Sequence, residues 1–364
     1  MAIRMSDIAK MAGVSESTVS RAFSHPEKLR KGTLERIMSI VRMYDYRPNA
    51  MAQAVARRHY GLVSFLLYNK SRPFWGSNFY GPALDGFMER AKVRGYHVVL
   101  GATGIQNDFF EESFINDSID GAILASRDPD PIIKVFKKRG IPIVLFQNET
   151  TLENVGMITN DDYNGMVKIM KHLIEEKGYE DIAFFSNRLS HVSNMQRYFA
   201  YIDSIKQYGL QPYTNDELSD FPLYNKYEPN PCILARYGKR EIPRFGTPFV
   251  ISSGKPNTAE NAILKLLPLR KMPRAIVCAT DNIAIGVCRA LLQKGFRIPQ
   301  DVAVTGYDDM EMSPYFTPAL TTVKIDSCLM GAESMDLLLK YISDPESPSE
   351  RICLSDELVV RESS

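Results

Sequence analysis

The chain has no apolar run near the roughly 20 residues that a membrane-spanning helix requires, which argues against an integral membrane protein. Its first residues lack the apolar core of a secretory signal, so the expected compartment is the cytoplasm. Cysteine is scarce and odd in number: Cys232, Cys278, Cys288, Cys328 and Cys353, none in CxxC spacing. That pattern speaks against a disulfide scaffold or a thiolate zinc site and predicts reduced, mostly buried thiols. The five histidines, His25, His59, His97, His172 and His191, are scattered. No GxSxG elbow, HExxH pair or phosphate-cradling glycine loop occurs, so no motif for catalysis is visible and the chain is not expected to be an enzyme.

Net charge is nearly absent as well, +1 over 364 residues, with a globular composition of 45% hydrophobic and 24% charged residues. The total conceals an uneven distribution. Residues 1–60 hold 11 Lys and Arg against 5 Asp and Glu, and the remainder holds 33 against 38. Basic charge is thus concentrated at the N-terminal end, where phosphate contact would need it if that end meets nucleic acid.

Residues 5–24 carry the pattern of a helix-turn-helix. A short first helix places Ile8, Ala9 and Ala12 on one face, and Gly13 breaks it, because glycine reaches a left-handed turn cheaply. Ser15 can cap a second helix by accepting from the backbone amide of Ser17 or Thr18. On that helix Val19, Ala22 and Phe23 face inward, leaving Glu16, Ser17, Ser20 and Arg21 outward, a surface suited to the major groove. The same pattern would serve an ordinary amphipathic hairpin. A third helix is expected from about Thr33 to Tyr44, with Leu34, Ile37, Met38 and Val41 as its stripe, stopped by Pro48. The alanine-rich, basic stretch 50–58 is too short to be helical unaided; it is either a linker or a helix formed only against a partner such as DNA.

From Gly61 the character changes. Apolar strands at 62–67, 98–100, 121–125 and 143–146 alternate with helical stretches, and the rhythm restarts at 182–185, 275–279 and 302–305. Continuous apolar strands separated by amphipathic helices predict parallel sheets covered on both faces. The fold class is therefore α/β: a helix-turn-helix followed by two doubly wound lobes with a ligand cleft between them. Residues 211–247, rich in Pro, Tyr, Asn and charge, break the rhythm and read as a surface insertion.

Several motifs recur in the order of one family. They are Asp7-Ile8-Ala9, Ala12-Gly13-Val14-Ser15, Thr18-Val19-Ser20-Arg21, Tyr46-Arg47-Pro48-Asn49-Ala50, Arg197 before Ala200-Tyr201, Pro273 to Gly286, Gly306-Tyr307-Asp308-Asp309 and Pro318 to Val323. Nearly end to end, the chain resembles the lactose-repressor/galactose-repressor (LacI/GalR) family of bacterial transcription regulators. The resemblance implies a homodimer reading a near-palindromic operator on double-stranded DNA, a core like that of periplasmic binding proteins, no cofactor or metal, and a place on the nucleoid in the cytoplasm. It divides the chain into a DNA-binding domain at 1–48, a hinge helix at 49–60, a first lobe at 61–160 with 325–350, and a second lobe at 161–323 with 351–364.

By position, the resemblance implies that Glu16, Ser17 and Arg21 face base edges and that Ser15, Thr18 and Ser20 lie at or near phosphates. Tyr46, Asn49, Ala52 and Val55 complete the implied DNA contacts, with Val55 in the place of a leucine that wedges into the minor groove and Ala52 small enough for two hinge helices to approach. Glu16 is unusual there; a carboxylate repels phosphate but accepts from a cytosine amino group. Arg4 and Arg30 stand where the family caps its first and third helices with Thr and Ser, which weakens each start by roughly 1 kcal/mol; Arg30 and Lys31 reach phosphates in the alternative.

For the cleft, the family implies a small effector, a sugar or sugar derivative such as a sugar acid or phosphate. Aromatic Tyr68, Phe74, Trp75 and Phe79 in and around the first strand-to-helix loop would cover an apolar sugar face. Arg197 would grip ligand oxygens with two bonds, and Asp308 would accept from hydroxyls. Asp161 and Asn282 are further candidates, whereas Asp281 is expected to cap the following helix. Gln147 stands where some members carry a sugar-binding aspartate; with Lys70, Arg72 and Arg188 nearby in the pattern, an anionic effector is one expectation. A ligand would act by rotating the lobes and moving the hinge. After Leu337-Leu338-Leu339 no further leucine heptad follows, so a dimer rather than a tetramer is expected.

Overall fold

The computed structural model describes residues 3–46, 59–68, 78–102, 119–126, 130–186, 189, 191–213, 231–237, 249–250, 256–266 and 272–364. It divides into two compact units, Met1–Gly61 and Leu62–Ser364.

Among its described residues the first unit has three α-helices, α1 (Met5–Ala12), α2 (Glu16–Ser24) and α3 (Lys31–Met43), with a short 3-10 helix at Pro26–Lys28 between the last two. Gly13 ends α1 at φ 63°, ψ 40°, the left-handed conformation that glycine adopts without a Cβ penalty. Ile8, Ala9, Ala12, Val19, Ala22, Ile37 and Val41 form its core. Each large aliphatic buried there contributes about 1.5–3 kcal/mol, which a domain this small needs. The start of α1 is better held than the Arg4 substitution suggests, because the Arg4 backbone amide donates to the Asp7 carboxylate at 2.9 Å. At α3 the expectation stands as made: Arg30 supplies no side-chain cap.

The second unit carries strands β1 (Leu62–Tyr68), β2 (His97–Ala102), β3 (Gly121–Ser126), β4 (Ile143–Phe146), β5 (Gly156–Asn160), β6 (Ile182–Ser186), β7 (Phe249–Val250), β8 (Ala275–Cys278), β9 (Ala303–Thr305), β10 (Thr322–Lys324), β11 (Glu350–Leu354) and β12 (Glu357–Val359). The first lobe is a six-stranded sheet in the order β11-β5-β4-β3-β1-β2, and the second a four-stranded sheet in the order β7-β6-β8-β9. Both are parallel throughout. β3 and β4 are buried at every residue, as central strands covered on both faces must be.

Helices Tyr80–Val93 and Ser327–Ser343 pack closely against the first sheet and each other. Their approach is set by glycine: a Cβ on Gly331 would collide with the Ala83 carbonyl oxygen, and one on Gly86 with that of Cys328. A continuous apolar cluster runs from Phe65, Phe87 and Phe146 of the first lobe to Phe184, Tyr198 and Tyr201 of the second.

Two features differ from the sequence reading. β5 was not anticipated, since Gly-Met-Ile-Thr-Asn shows no long apolar run, yet all five residues are buried between β4 and β11. β11 joins the first sheet through Leu354, so the last return to the second lobe falls after Leu354 rather than after residue 350. As an edge strand it is only partly buried, which is why Glu-Arg-Ile-Cys-Leu gives no clear hydrophobic signal. β10 and β12 form a short antiparallel pair, too short to read from pattern.

Of the cysteines only Cys278 and Cys288 are buried; Cys232 is half-buried, and Cys328 and Cys353 are exposed, which corrects the expectation of mostly buried thiols. Burial pushes the Cys278 and Cys288 thiols up, the latter to about 12. Among the described residues no helix is long and apolar enough to cross a membrane, and no cluster of ligating side chains is arranged to hold a metal.

Candidate nucleic-acid interface and ligand cleft

On α2, Ser15 takes the capping position and its hydroxyl accepts from the Thr18 amide at 3.2 Å. The Ser15 hydroxyl also lies 2.8 Å from those of Ser17 and Thr18, so three hydroxyls cluster at the helix start. Glu16, Ser17 and Arg21 are exposed, while Thr18 and Ser20 are half-buried beside the core residues Val19 and Ala22. Tyr46 packs near Phe23, ring centroids 6.2 Å apart, and its hydroxyl pKa is raised by burial and by Glu16. Tyr46 therefore stands beside the helix start. Asn49, Ala52 and Val55 lie outside the described residues.

The candidate effector site centres on Arg197, which projects from the helix Val192–Gln207 and is 3% exposed. Its Nε donates to Asp162 Oδ1 at 2.7 Å, and Nη2 lies 2.6 Å from the same oxygen. Nη1 donates to the Ala279 carbonyl and stands 3.3 Å from Asp308 Oδ1. The guanidinium lies over the Tyr307 ring, 3.6 Å from its centroid. Burial by itself would lower the Arg197 pKa, but Asp162 and Asp308 raise it, so the cation persists. Burial pushes Asp308 up to about 8, against the opposing pull of Arg197.

Two of the crossings between lobes, at Asn160–Asp162 and at Asp356, meet beside this arginine. Asn160, at the end of β5, donates to Asp162 Oδ1 at 3.0 Å and to Asp356 Oδ2 at 2.6 Å. The Tyr307 hydroxyl donates to the same Asp356 oxygen at 2.5 Å. Burial and then Asp162 push Asp356 up to about 7. Gln147 donates to Asn160 Oδ1 and, at 3.3 Å, to the Ser193 hydroxyl. Gln147 sits at φ 56° and Asp308 at φ 112°, left-handed conformations that cost a non-glycine residue on the order of 1–3 kcal/mol and recur at binding sites.

Of the anticipated cleft residues, this network joins Gln147, Arg197 and Asp308. Asp161 adjoins it but caps the helix Asp162–Lys171, accepting from the Asn164 amide at 3.2 Å and side chain at 2.7 Å. Asn282 is half-buried at the start of the helix Asp281–Gln293. Phe79 packs on Tyr80 and Phe146, centroids 5.2 and 5.9 Å away. Tyr68 ends β1, paired with Ser126, and its side chain, like Lys70, Arg72, Phe74, Trp75 and Arg188, lies outside the described residues.

The expected cap role of Asp281 is corrected. Thr280 caps that helix, while Asp281 is fully buried and accepts from Met310 N (2.8 Å), Ser313 (2.6 Å) and Thr322 (2.6 Å). It organises the turn after Asp308, and burial pushes it up to about 6. Sequence reasoning missed Asn160, Asp162, Tyr307 as a ring under Arg197, and Asp356. The one available signal was Asn160-Asp161-Asp162, three polar residues where a strand meets a helix start.

Three family descriptions match the chain. That of bacterial regulatory proteins, lacI family, covers residues 4–49. That of periplasmic binding proteins and the sugar binding domain of the LacI family covers 61–221, and that of a periplasmic binding protein-like domain covers 235–364. The probable HTH-type transcriptional repressor ExuR of Bacillus subtilis is 26% identical over 99% of this chain and 98% of its own length. The HTH-type transcriptional repressor PurR of Mannheimia succiniciproducens is 24% identical over 98% and 97%. Among solved structures, the lac repressor dimer bound to operator and the anti-inducer ONPF aligns at TM-score 0.76 with 22% identity, covering 100% of this chain and 99% of that one. A complex of the transcriptional regulator CelR with cellobiose aligns at 0.68 with 24% identity over all of both chains. Joining the capped recognition helix to the two-lobed core, these matches run almost end to end, and the chain belongs to the LacI/GalR family of DNA-binding transcriptional regulators.

Proposed function

We propose that this regulator is a homodimeric repressor whose affinity for a near-palindromic operator is set by a sugar or sugar derivative bound between the lobes, acting in the cytoplasm on the nucleoid. The observation that carries the reading is Arg197, buried at the junction of the lobes between Asp162 and Asp308. A guanidinium flanked by carboxylates offers donors and acceptors side by side, the pairing that vicinal hydroxyls satisfy. The related structures solved with cellobiose and with ONPF support a cleft of this kind. Arg197, Asp308 and Gln147 would hold the polar face of the effector, with Asp161 and Asn282 at its edge. Phe79, with Tyr68, Phe74 and Trp75, would cover its apolar face. On DNA, Glu16, Ser17 and Arg21 would read base edges, Glu16 accepting from a cytosine. Ser15, Thr18 and Ser20 would meet phosphates and Tyr46 would flank them. Asn49, Ala52 and Val55, in a hinge at 49–60, would enter the minor groove.

A thermal-shift screen of the purified protein against neutral sugars, sugar acids and sugar phosphates tests the effector reading. A ligand at 100 times its dissociation constant adds about 2.7 kcal/mol of stability, and Arg197→Ala should abolish the shift. A stabilising ligand whose effect survives Arg197→Ala would place the effector elsewhere.

A further inference from the structure

The helix Pro231–Tyr237, within the stretch 211–247 that reads as an insertion, is absent from the contacts described so far, yet it touches both lobes. Arg236 donates from both terminal nitrogens to Glu149, at 3.0 and 2.8 Å. Glu149 is 2% exposed and lies three residues past β4 in the first lobe. The turn that carries it is pinned to β3, because Asn148 donates to the Ser126 carbonyl at 2.7 Å. Arg351 of β11 stands 3.2 Å from the same carboxylate, so Glu149 keeps a cation from its own lobe even without Arg236.

The next residue grips the other lobe. The Tyr237 ring stacks on Tyr163, centroids 5.3 Å apart at 23°, and meets Phe199 at 5.7 Å. Tyr163 in turn donates to Asp203 at 2.8 Å. These partners lie on the two packed helices Asp162–Lys171 and Val192–Gln207. Adjacent Cα atoms are about 3.8 Å apart whatever the conformation, so residues 236 and 237 cannot follow their partners if the lobes turn about the crossings. A turn of the lobes larger than the reach of the Arg236 side chain breaks one of the two contacts. A bidentate arginine–carboxylate pair and a stacked aromatic pair are both geometry-demanding interactions.

We infer that the helix Pro231–Tyr237 is a strap across the two lobes, with Arg236 a positioning residue that holds the lobes in this arrangement against rotation. The inference does not depend on which effector binds. The strap adds a barrier to lobe movement that an effector must overcome or exploit.

Hydrogen exchange on the full-length, ligand-free protein tests it, because coupling between two contacts is reciprocal. Arg236→Ala removes the first-lobe grip together with the contact of its guanidinium with the Tyr237 ring, 5.9 Å away, and should speed exchange around Tyr163 by roughly threefold or more; Glu149→Gln, which weakens the same grip and leaves the Arg236–Tyr237 contact in place, should speed exchange there as well. Tyr237→Ala should likewise speed exchange at residues 148–152. Arg236→Lys, which keeps the charge and loses the fork, should fall between the wild type and Arg236→Ala. If each variant loosens only the lobe its own side chain touches, the helix is a surface appendage and the strap is wrong. Arg236 is 32% exposed, so its truncation leaves folding intact; operator affinity and effector binding serve as separate readouts of the function proposed above.

Discussion

The proposed DNA-reading surface and the proposed effector site are assembled in opposite ways. Residues 15–21 supply the first from one helix start, with Glu16, Ser17 and Arg21 exposed and available to a partner. The second draws Asn160 and Asp356 together across 196 positions of sequence and buries them with Asp162, Arg197 and Tyr307. In the helix-turn-helix unit, the core is made by residues such as Ile8, Val19 and Ile37, and the proposed recognition falls to other, exposed residues. In the cleft the same side chains do both: Arg197 is a structural ion-pair partner and the proposed ligand grip. A recognition face made of exposed side chains is free to change its specificity, whereas a cleft made of paired buried groups is constrained by stability.

The largest effect is expected where these roles coincide. Arg197→Ala leaves Asp162 and Asp308 without their cation, and loss of one partner of a buried pair costs about 3–5 kcal/mol. A scanning-calorimetry drop of several degrees, alongside loss of ligand response, is the expected result. If stability is unchanged, the arginine is not structural and the contrast with the DNA-reading face collapses.

Arg21 sharpens the comparison from the other side. Arg21→Ala should weaken operator binding by about 1–3 kcal/mol, concentrated at one base position, with unfolding unaltered. Glu16→Gln should shift the preferred base at one half-site position. Operator selection followed by binding titration checks both, and a loss spread evenly over all sequences would demote Arg21 to a phosphate contact.

A graded effect, not confined to one residue, is the pH dependence of the buried carboxylates. Asp281, Asp356 and Asp308 are raised by burial to about 6, 7 and 8. Each binds more protons folded than unfolded between about pH 4 and its raised value, so its contribution favours the native state at low pH and is lost as pH rises. Thermal stability of the ligand-free protein should therefore decline from about pH 5 to about pH 8. Asp356→Asn should flatten part of that slope near neutrality; an unaltered slope would assign it to other groups.

Legibility follows the same division. The turn at Gly13, the Ser15 cap and the stripe of Ile37 and Val41 could be read directly, because helix caps and 3.6-residue periodicity are local. The strands at 121–126 and 143–146 were equally plain, since both faces of a central parallel strand are apolar. β5 and β11 were not, because their pairing depends on neighbours from distant sequence. Arg197, Asp308 and Gln147 were found as positions, but not as a network; Asp162 and Asp356 were invisible, being ordinary aspartates until crossing strands bring them under one arginine.

By itself, then, the sequence determined the order of the units, the helix-turn-helix, the alternation that makes parallel sheets, and the side chains that the second helix leaves exposed. All of these rest on periodicity and caps within a few residues. Tertiary structure alone decided which carboxylates share Arg197, which residues take left-handed backbone in the cleft, and that the helix Pro231–Tyr237 spans two lobes. Those are consequences of burial and of chain crossings, which place charges side by side where water cannot screen them and which no local pattern encodes.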